Sequence, residues 1–298
     1  MMRSTIIIAI IFSVITLFIS CEGGMDFNTL ELKIKQNMPK ANGTFAVAFI
    51  DLQTNDQIMI NAKESMHAAS TMKTPVMIEV YKQAEAGKFS LEDSILIKNE
   101  FKSIVDSSLY SMDIEEDSGD SLYHFLEKKR TVYQLVYEMI TVSSNLATNI
   151  LIDMVDAKNV MTTMKDLGAN DIKVLRGVED IKAYRQGLSN TTTAYDLAII
   201  YKAIAEDKVV STHSCEDMLQ ILLDQKHRDI IPAKLPKEVR VAHKTGWITG
   251  VRHDSGIIYL PDGRKYVLVL LSSDVDDEAA GKEWQQNISK QIYDYMKG

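Results

Sequence analysis

Cysteine is almost absent from this 298-residue chain, which has only Cys21 and Cys215. Should Cys21 be consumed elsewhere, a lone thiol remains and an internal disulfide is excluded. A chain of this length does not need one, because it can bury a substantial core without staples or metals. Cys215, in Ser211-Thr-His-Ser-Cys-Glu-Asp217, has only His213 nearby as a cationic activator. It reads as a structural residue near a helix start rather than a nucleophile. Positive charge is also in short supply. Lys and Arg number 33 against 41 Asp and Glu, giving a net charge of −8. That balance argues against a nucleic-acid partner, which needs clustered cations for its phosphates. A neutral or anionic small molecule in a locally positive pocket is the expected partner. The six His residues offer no close-spaced ligand pair, so no zinc site, metal or cofactor is expected. The acidic run Asp113 to Asp120 lacks the spacing of a calcium loop and reads as solvated. No internal repeat or low-complexity tract is present.

What is present begins with an export segment. Arg3 supplies a positive start, and Thr5 to Ile19 is almost wholly apolar. The run is short for a membrane span but suits a signal-peptide core. It ends at Ser20-Cys21, which resembles a bacterial lipoprotein cleavage site, although Phe18 and Ile19 are bulkier than usual. Residues 1–20 are therefore expected to be removed and Cys21 to carry a lipid anchor at the cell envelope, the alternative being ordinary secretion with a chance Cys at that position. Losing Arg3 takes the net charge from −8 to −9.

The remaining pattern places strands at both ends and helices between. Thr44 to Leu52 and Gln57 to Ile60 read as strands about a Thr54-Asn55-Asp56 turn. Helix is expected from Ser70 to about Gly87, with residues 88–211 mostly helical. Val132, Leu135, Val136, Met139 and Ile140 give one helical face. Thr193 and Asp196 resemble a capping box opening another helix. After a helix near 214–224, Val239–Lys244, Gly256–Leu260 and Tyr266–Ser272 read as strands, with Pro261-Asp262-Gly263 a turn. Trp284, Ile288, Ile292 and Tyr295 mark a closing helix. The fold class is α+β in two lobes. An antiparallel sheet from the N- and C-terminal segments (25–69 and 212–298) carries an inserted all-α lobe (70–211), and a cleft between lobes is a natural site.

Three motifs carry chemistry. In Ser70-Thr71-Met72-Lys73 the i, i+3 spacing brings a hydroxyl and an amine to one helical face. A Ser hydroxyl needs an adjacent base, and a Lys in a partly dry pocket can lose its proton and serve as one. Pro75 fits a helix first turn. Alone the motif is weak, since about one S-x-x-K is expected by chance at this length. Ser143-Ser144-Asn145 falls on a short inter-helix loop. Ser143 could relay a proton there, and the Asn145 amide could hold a substrate carbonyl. Lys244-Thr245-Gly246 closes a strand. Its Lys and Thr suit a carboxylate, and Gly246 permits close approach of substrate backbone.

Taken together and in this order, the three motifs resemble the penicillin-recognising serine enzymes, and class A β-lactamases most closely. The resemblance covers nearly all of residues 25–298. Met139 to Asn149 and Asn190-Thr-Thr-Thr-Ala194 strengthen it. It implies a β-lactamase/transpeptidase-like fold and an acyl-enzyme on Ser70. It also implies an oxyanion hole from the Ser70 and Trp247 amides, and an omega loop from Arg176 to Asn190. Three departures stand out. Ser144 replaces the family's Asp, which puts loop packing in question. Trp247 follows K-T-G where small residues are usual, and its indole either narrows the pocket or packs outward. The omega loop is short, and Glu179 is the expected base for the deacylating water, with Asp180 second. Arg252 and His253 are expected to help bind a substrate carboxylate.

The resulting expectation is a monomeric serine β-lactamase acting on a β-lactam or peptidoglycan-like substrate. The alternatives are a D,D-peptidase or esterase on the same scaffold, and a non-catalytic lipid-anchored ligand binder or β-lactam sensor.

Overall fold

The computed structural model describes residues 25–38 and 42–298, so the expected signal segment and Cys21 lie outside the described residues. Helix α1 (Phe27–Gln36) opens on Asp26, whose carboxylate accepts from the Thr29 amide. Strands β1 (Thr44–Asp51) and β2 (Gln57–Ile60) form the expected hairpin. There follow β3 (Met66–His67), a 3-10 turn (Ala69–Met72) and α2 (Lys73–Glu85). Next come the short strands β4 (Ser94–Leu96), β5 (Phe101–Lys102), β6 (Leu109–Tyr110) and β7 (Lys129–Thr131). The helical body is α3 (Val132–Thr141), α4 (Asn145–Val155), α5 (Ala157–Asp166) and α6 (Ile181–Arg185). Strand β8 (Thr191–Thr192) precedes α7 (Ala194–Ala205) and α8 (Thr212–Leu223). Strands β9 (Arg240–Ile248), β10 (Val251–Tyr259) and β11 (Lys265–Ser273) lead to α9 (Glu278–Lys297).

The sheet runs β2-β1-β11-β10-β9 with antiparallel pairing, so the two chain ends meet as expected. Both of its faces are covered, which is why β1 and β11 read as unbroken apolar runs. Phe45, Val47 and Phe49 join Leu30 and Ile34 of α1 and Trp284, Ile288 and Ile292 of α9 in one core. The Phe45 and Trp284 rings meet edge-on at 4.9 Å. Ala46, Ala48 and Ile50 point the other way, into a core shared with α2, α3, α4, α7 and α8. Packing is therefore continuous across the limits at 69/70 and 211/212.

Three local readings change. Residues 88–131 contain no α-helix among the described residues; they form the short strands and two 3-10 turns. Polar side chains capture the backbone there: Asn99 exchanges hydrogen bonds with both the N–H and the C=O of Met112. The α-helix begins at Lys73 rather than Ser70, because Ala69 takes φ +44° and Ser70 lies in the 3-10 turn. Strand β9 runs on to Ile248, so Lys244-Thr245-Gly246 lies inside the strand instead of ending it. The Thr193 cap holds, its hydroxyl accepting from the Asp196 amide. The Asp196 carboxylate turns instead to the amides of Asp171 and Ile172.

Candidate active site

The Ser70 turn is fastened on several sides. The Ala68 amide donates to Asn190 O, the Ala69 amide to His67 Nδ1, and the Thr71 hydroxyl to Ala68 O. Ser143, Glu179 and Ala69, the residue before Ser70, carry positive φ, so left-handed backbone gathers at and beside the residues expected to react. Strand β9 passes close by. A Cβ built on Gly246 would lie 3.1 Å from Ser70 N and 3.2 Å from Ala69 Cβ. The glycine of K-T-G is thus required by the approach of the strand to the Ser70 turn.

The two lysines meet at one hydroxyl. Lys73 Nζ donates to Ser143 O at 2.7 Å and Asn145 Oδ1 at 2.8 Å, and lies 3.1 Å from Ser143 Oγ. Lys244 Nζ reaches the same Oγ at 3.0 Å and also Thr245 O. Both amines are fully buried. Burial brings Lys73 down to about 7 against the opposing pull of Asp117 and Glu179. Lys244 is pushed down by burial and then by the charge of Lys73, with Asp254 opposing. Lys73 Nζ donates to three acceptors, Ser143 O, Asn145 Oδ1 and Ser143 Oγ.

Glu179 enters from the loop between Arg176 and Asn190. The Asn190 amide closes that loop, accepting from the Leu175 and Arg176 amides and donating to Arg176 O. Glu179 Oε1 accepts from Asn145 Nδ2 at 2.8 Å, so Asn145 joins Lys73 to Glu179. Burial raises the Glu179 carboxyl above its ordinary range. Asp180, the second choice as base, is turned away. Its carboxylate caps α6 at Ala183 N and accepts from Ile104 N and Ser103 Oγ. Burial would raise it, but those hydrogen bonds outweigh burial and lower it.

The cleft walls include Ser70, Ser143, Thr245 and Gly246, together with the cationic Lys226, Arg228 and Arg252. Arg252 faces Trp247 across the β9–β10 ladder. Its guanidinium pairs with Asp229 at 3.2 Å and lies over the Trp247 ring. The indole packs outward, 61% exposed, and donates to Glu278. His253 corrects the expectation of a carboxylate binder. Its Nδ1 accepts from the Ser272 amide, so the proton sits on Nε2 and points at His67 O, 2.9 Å away. Burial lowers it to about 4. A neutral ring with both nitrogens engaged has nothing to offer an anion, so His253 ties β10 to the strand before Ser70.

Three supporting residues had no clear signal in the sequence. Asn149 accepts from Val178 N and donates to Val178 O, and a Cβ on Gly177 would lie 2.3 Å from Asn149 Oδ1. The i, i+4 pair Asn145 and Asn149 on α4 thus holds the Glu179 loop by side chain and backbone. Asp117 is the third. Residues 113–116 are exposed as expected, but Asp117 is half-buried and accepts from the Asn145 and Leu146 amides. Ser144, where the family pattern has Asp, caps α4 at Ala147 N.

The profile of the β-lactamase enzyme family matches residues 29–296. β-Lactamase VEB-1 of Pseudomonas aeruginosa is 23% identical over 282 residues, covering 90% of each chain. Among solved structures, a β-lactamase from Sphaerobacter thermophilus superposes with a TM-score of 0.75 at 27% identity, covering 90% of this chain and 96% of its own. A PBP-A mutant, an acyl-enzyme complex with penicillin G, superposes with a TM-score of 0.76 at 23% identity, covering 91% and 97%.

Proposed function

The chain belongs to the β-lactamase enzyme family, and from that premise we propose that it is a class A-type serine hydrolase that opens β-lactam amides through an acyl-enzyme on Ser70. The observation that carries this reading is the Ser143 hydroxyl suspended between two buried amines, 3.1 Å from Lys73 and 3.0 Å from Lys244, beside the cleft that holds Ser70. In the proposed path, neutral Lys73 takes the Ser70 proton as Ser70 Oγ bonds to the lactam carbonyl carbon. The Ser70 and Trp247 amides receive the developing oxyanion. As the C–N bond breaks, Ser143 gives its proton to the departing nitrogen and is refilled from Lys73. Lys244 and Thr245, backed by Arg252, hold the substrate carboxylate. Glu179 then takes a proton from water as the water oxygen bonds to the ester carbonyl carbon; as the C–O bond to Ser70 breaks, that proton passes to Ser70 Oγ, which frees the serine and restores the Glu179 carboxylate. Ser70→Ala is expected to abolish hydrolysis of a chromogenic cephalosporin; an unchanged rate rejects the proposal.

A D,D-peptidase or esterase that acylates but deacylates slowly is the second reading. It is favoured by one observation: Glu179 Oε1 already accepts from Asn145, on a short loop. The lifetime of the penicilloyl adduct in intact-protein mass spectrometry separates the two. Decay within seconds supports hydrolysis, and persistence for hours supports the slow enzyme. Export with a lipid anchor at Cys21, and action as a monomer in the cell envelope, complete the proposal. The export and the anchor are supported by Arg3, the apolar run and Ser20-Cys21. Cys21→Ala is expected to move the protein from the membrane fraction to the soluble one.

A further inference from the structure

Helix α4 presents the four unpaired N–H groups that every helix start must satisfy. The first, on the N-cap Ser144 itself, donates to Glu138 O, and the fourth, on Ala147, donates to Ser144 Oγ. The middle two go to a carboxylate 28 residues upstream in sequence: Asp117 Oδ1 accepts from Asn145 N at 2.8 Å and Oδ2 from Leu146 N at 2.9 Å. Gly119 N and the Tyr123 hydroxyl bring Asp117 to four donors. The loop lies down tightly, since a Cβ on Gly119 would fall 2.8 Å from Ser144 Cβ. Asn145, whose backbone Asp117 holds, is the residue whose side chain joins Lys73 to Glu179.

We propose that Asp117 is a positioning residue of this site, fixing Asn145, and with it the bridge from Lys73 to Glu179, through the start of α4. The inference rests on the acylation chemistry proposed above. The charge of Asp117 acts with a definite sign. The Asp117 carboxylate favours the protonated form of Lys73. It also disfavours ionisation of Glu179. Removing the charge lets both groups lose their protons at lower pH. The other charged or titratable groups around this pair are Lys244 on β9, Glu138 on α3, Tyr123 in the 120–125 turn, and Glu116 and Asp113 beside Asp117. None of them changes in the variants below.

The test compares wild type with Asp117→Asn, which keeps the shape, and Gly119→Ala, which lifts the loop from Ser144 and leaves every charge in place. The readouts are the pH dependence of Ser70 acylation by penicillin and the titration of isotope-labelled Lys73 by NMR. Asp117→Asn is expected to move the acid limb and the Lys73 titration to lower pH, on the order of one unit, whereas Gly119→Ala, which keeps the charge, leaves both near their wild-type positions. Both are expected to slow acylation at its plateau. A slowed rate with an unmoved limb and titration in Asp117→Asn reduces Asp117 to an ordinary cap and overturns the inference. A wild type that never acylates rejects the proposed function instead, while the Lys73 titration still decides the role of Asp117.

Discussion

At the level of single residues, the site depends on what burial does to ionisable groups. Lys73 titrates at about 7 because its ammonium is cut off from water more strongly than its carboxylate neighbours can offset. Acylation of Ser70 is therefore expected to rise with pH through about 7 and then level off. A rate that is flat from pH 5 to 9 in quenched-flow mass spectrometry contradicts this. Lys73→Ala removes the general base and is expected to slow acylation by about 10²–10⁴-fold. Glu179 is raised by burial, so deacylation should fail on the acid side at a higher pH than an ordinary carboxylate gives. His253 acts on stability. Its folded pKa lies at about 4 against an ordinary 6.5, so the unfolded chain takes up the proton first as pH falls. Its contribution to stability is complete above pH 6.5 and is lost as pH falls toward 4. Denaturant melts at pH 7 and pH 5 are expected to show this loss, and His253→Asn should reduce it.

At the level of elements, two glycines mark places where one segment must press on another. Gly177 takes the pressure of the Asn149 amide against the loop that carries Glu179. Gly177→Ala is expected to displace that loop and leave the Ser70 turn intact, so acylation persists and the acyl-enzyme accumulates. Mass spectrometry during turnover reads this directly, and an unchanged ratio of free to acylated protein contradicts it. Gly246 holds β9 against Ser70, with contacts of 3.1 and 3.2 Å awaiting a Cβ. Gly246→Ala should cost about 1–3 kcal/mol through overpacking and slow acylation as well, as a thermal melt and the acylation rate would record. In the sequence Gly177 is only a loop residue, and Gly246 a motif glycine open to close approach by substrate; what presses on them comes from α4 and from the Ser70 turn.

At the scale of the whole molecule, two hydrophobic cores sandwich the sheet, and the second runs without a break into the helical body. The single described cysteine lies in that second core. Cys215 is expected to resist thiol reagents in the native protein and to react only on unfolding, with a rate that follows the global transition. Rapid labelling under native conditions would place it outside the cooperative core. The acidic chain nonetheless lines its cleft with Lys226, Arg228 and Arg252 against the one carboxylate of Asp229, which pairs with Arg252. Overall charge and local field are separate properties, and only the local one meets a substrate.

By itself, the sequence determined the parts whose signal is local. Runs of β-forming residues bounded by turns specified the strands, Thr193 started its helix, and motif chemistry singled out Ser70, Lys73, Ser143 and Lys244. Tertiary structure decided what depends on distance through space. The contact of Lys73 with Ser143 spans 70 residues and that of Lys244 with Ser143 spans 101. It turned Asp180 into a cap, sealed His253 as a neutral strut, and brought Asp117 out of an apparently solvated run to the start of α4. Hydrogen-bond partners and the dielectric around a charge are fixed by which distant segments fold together, and composition and spacing along the chain leave that choice open.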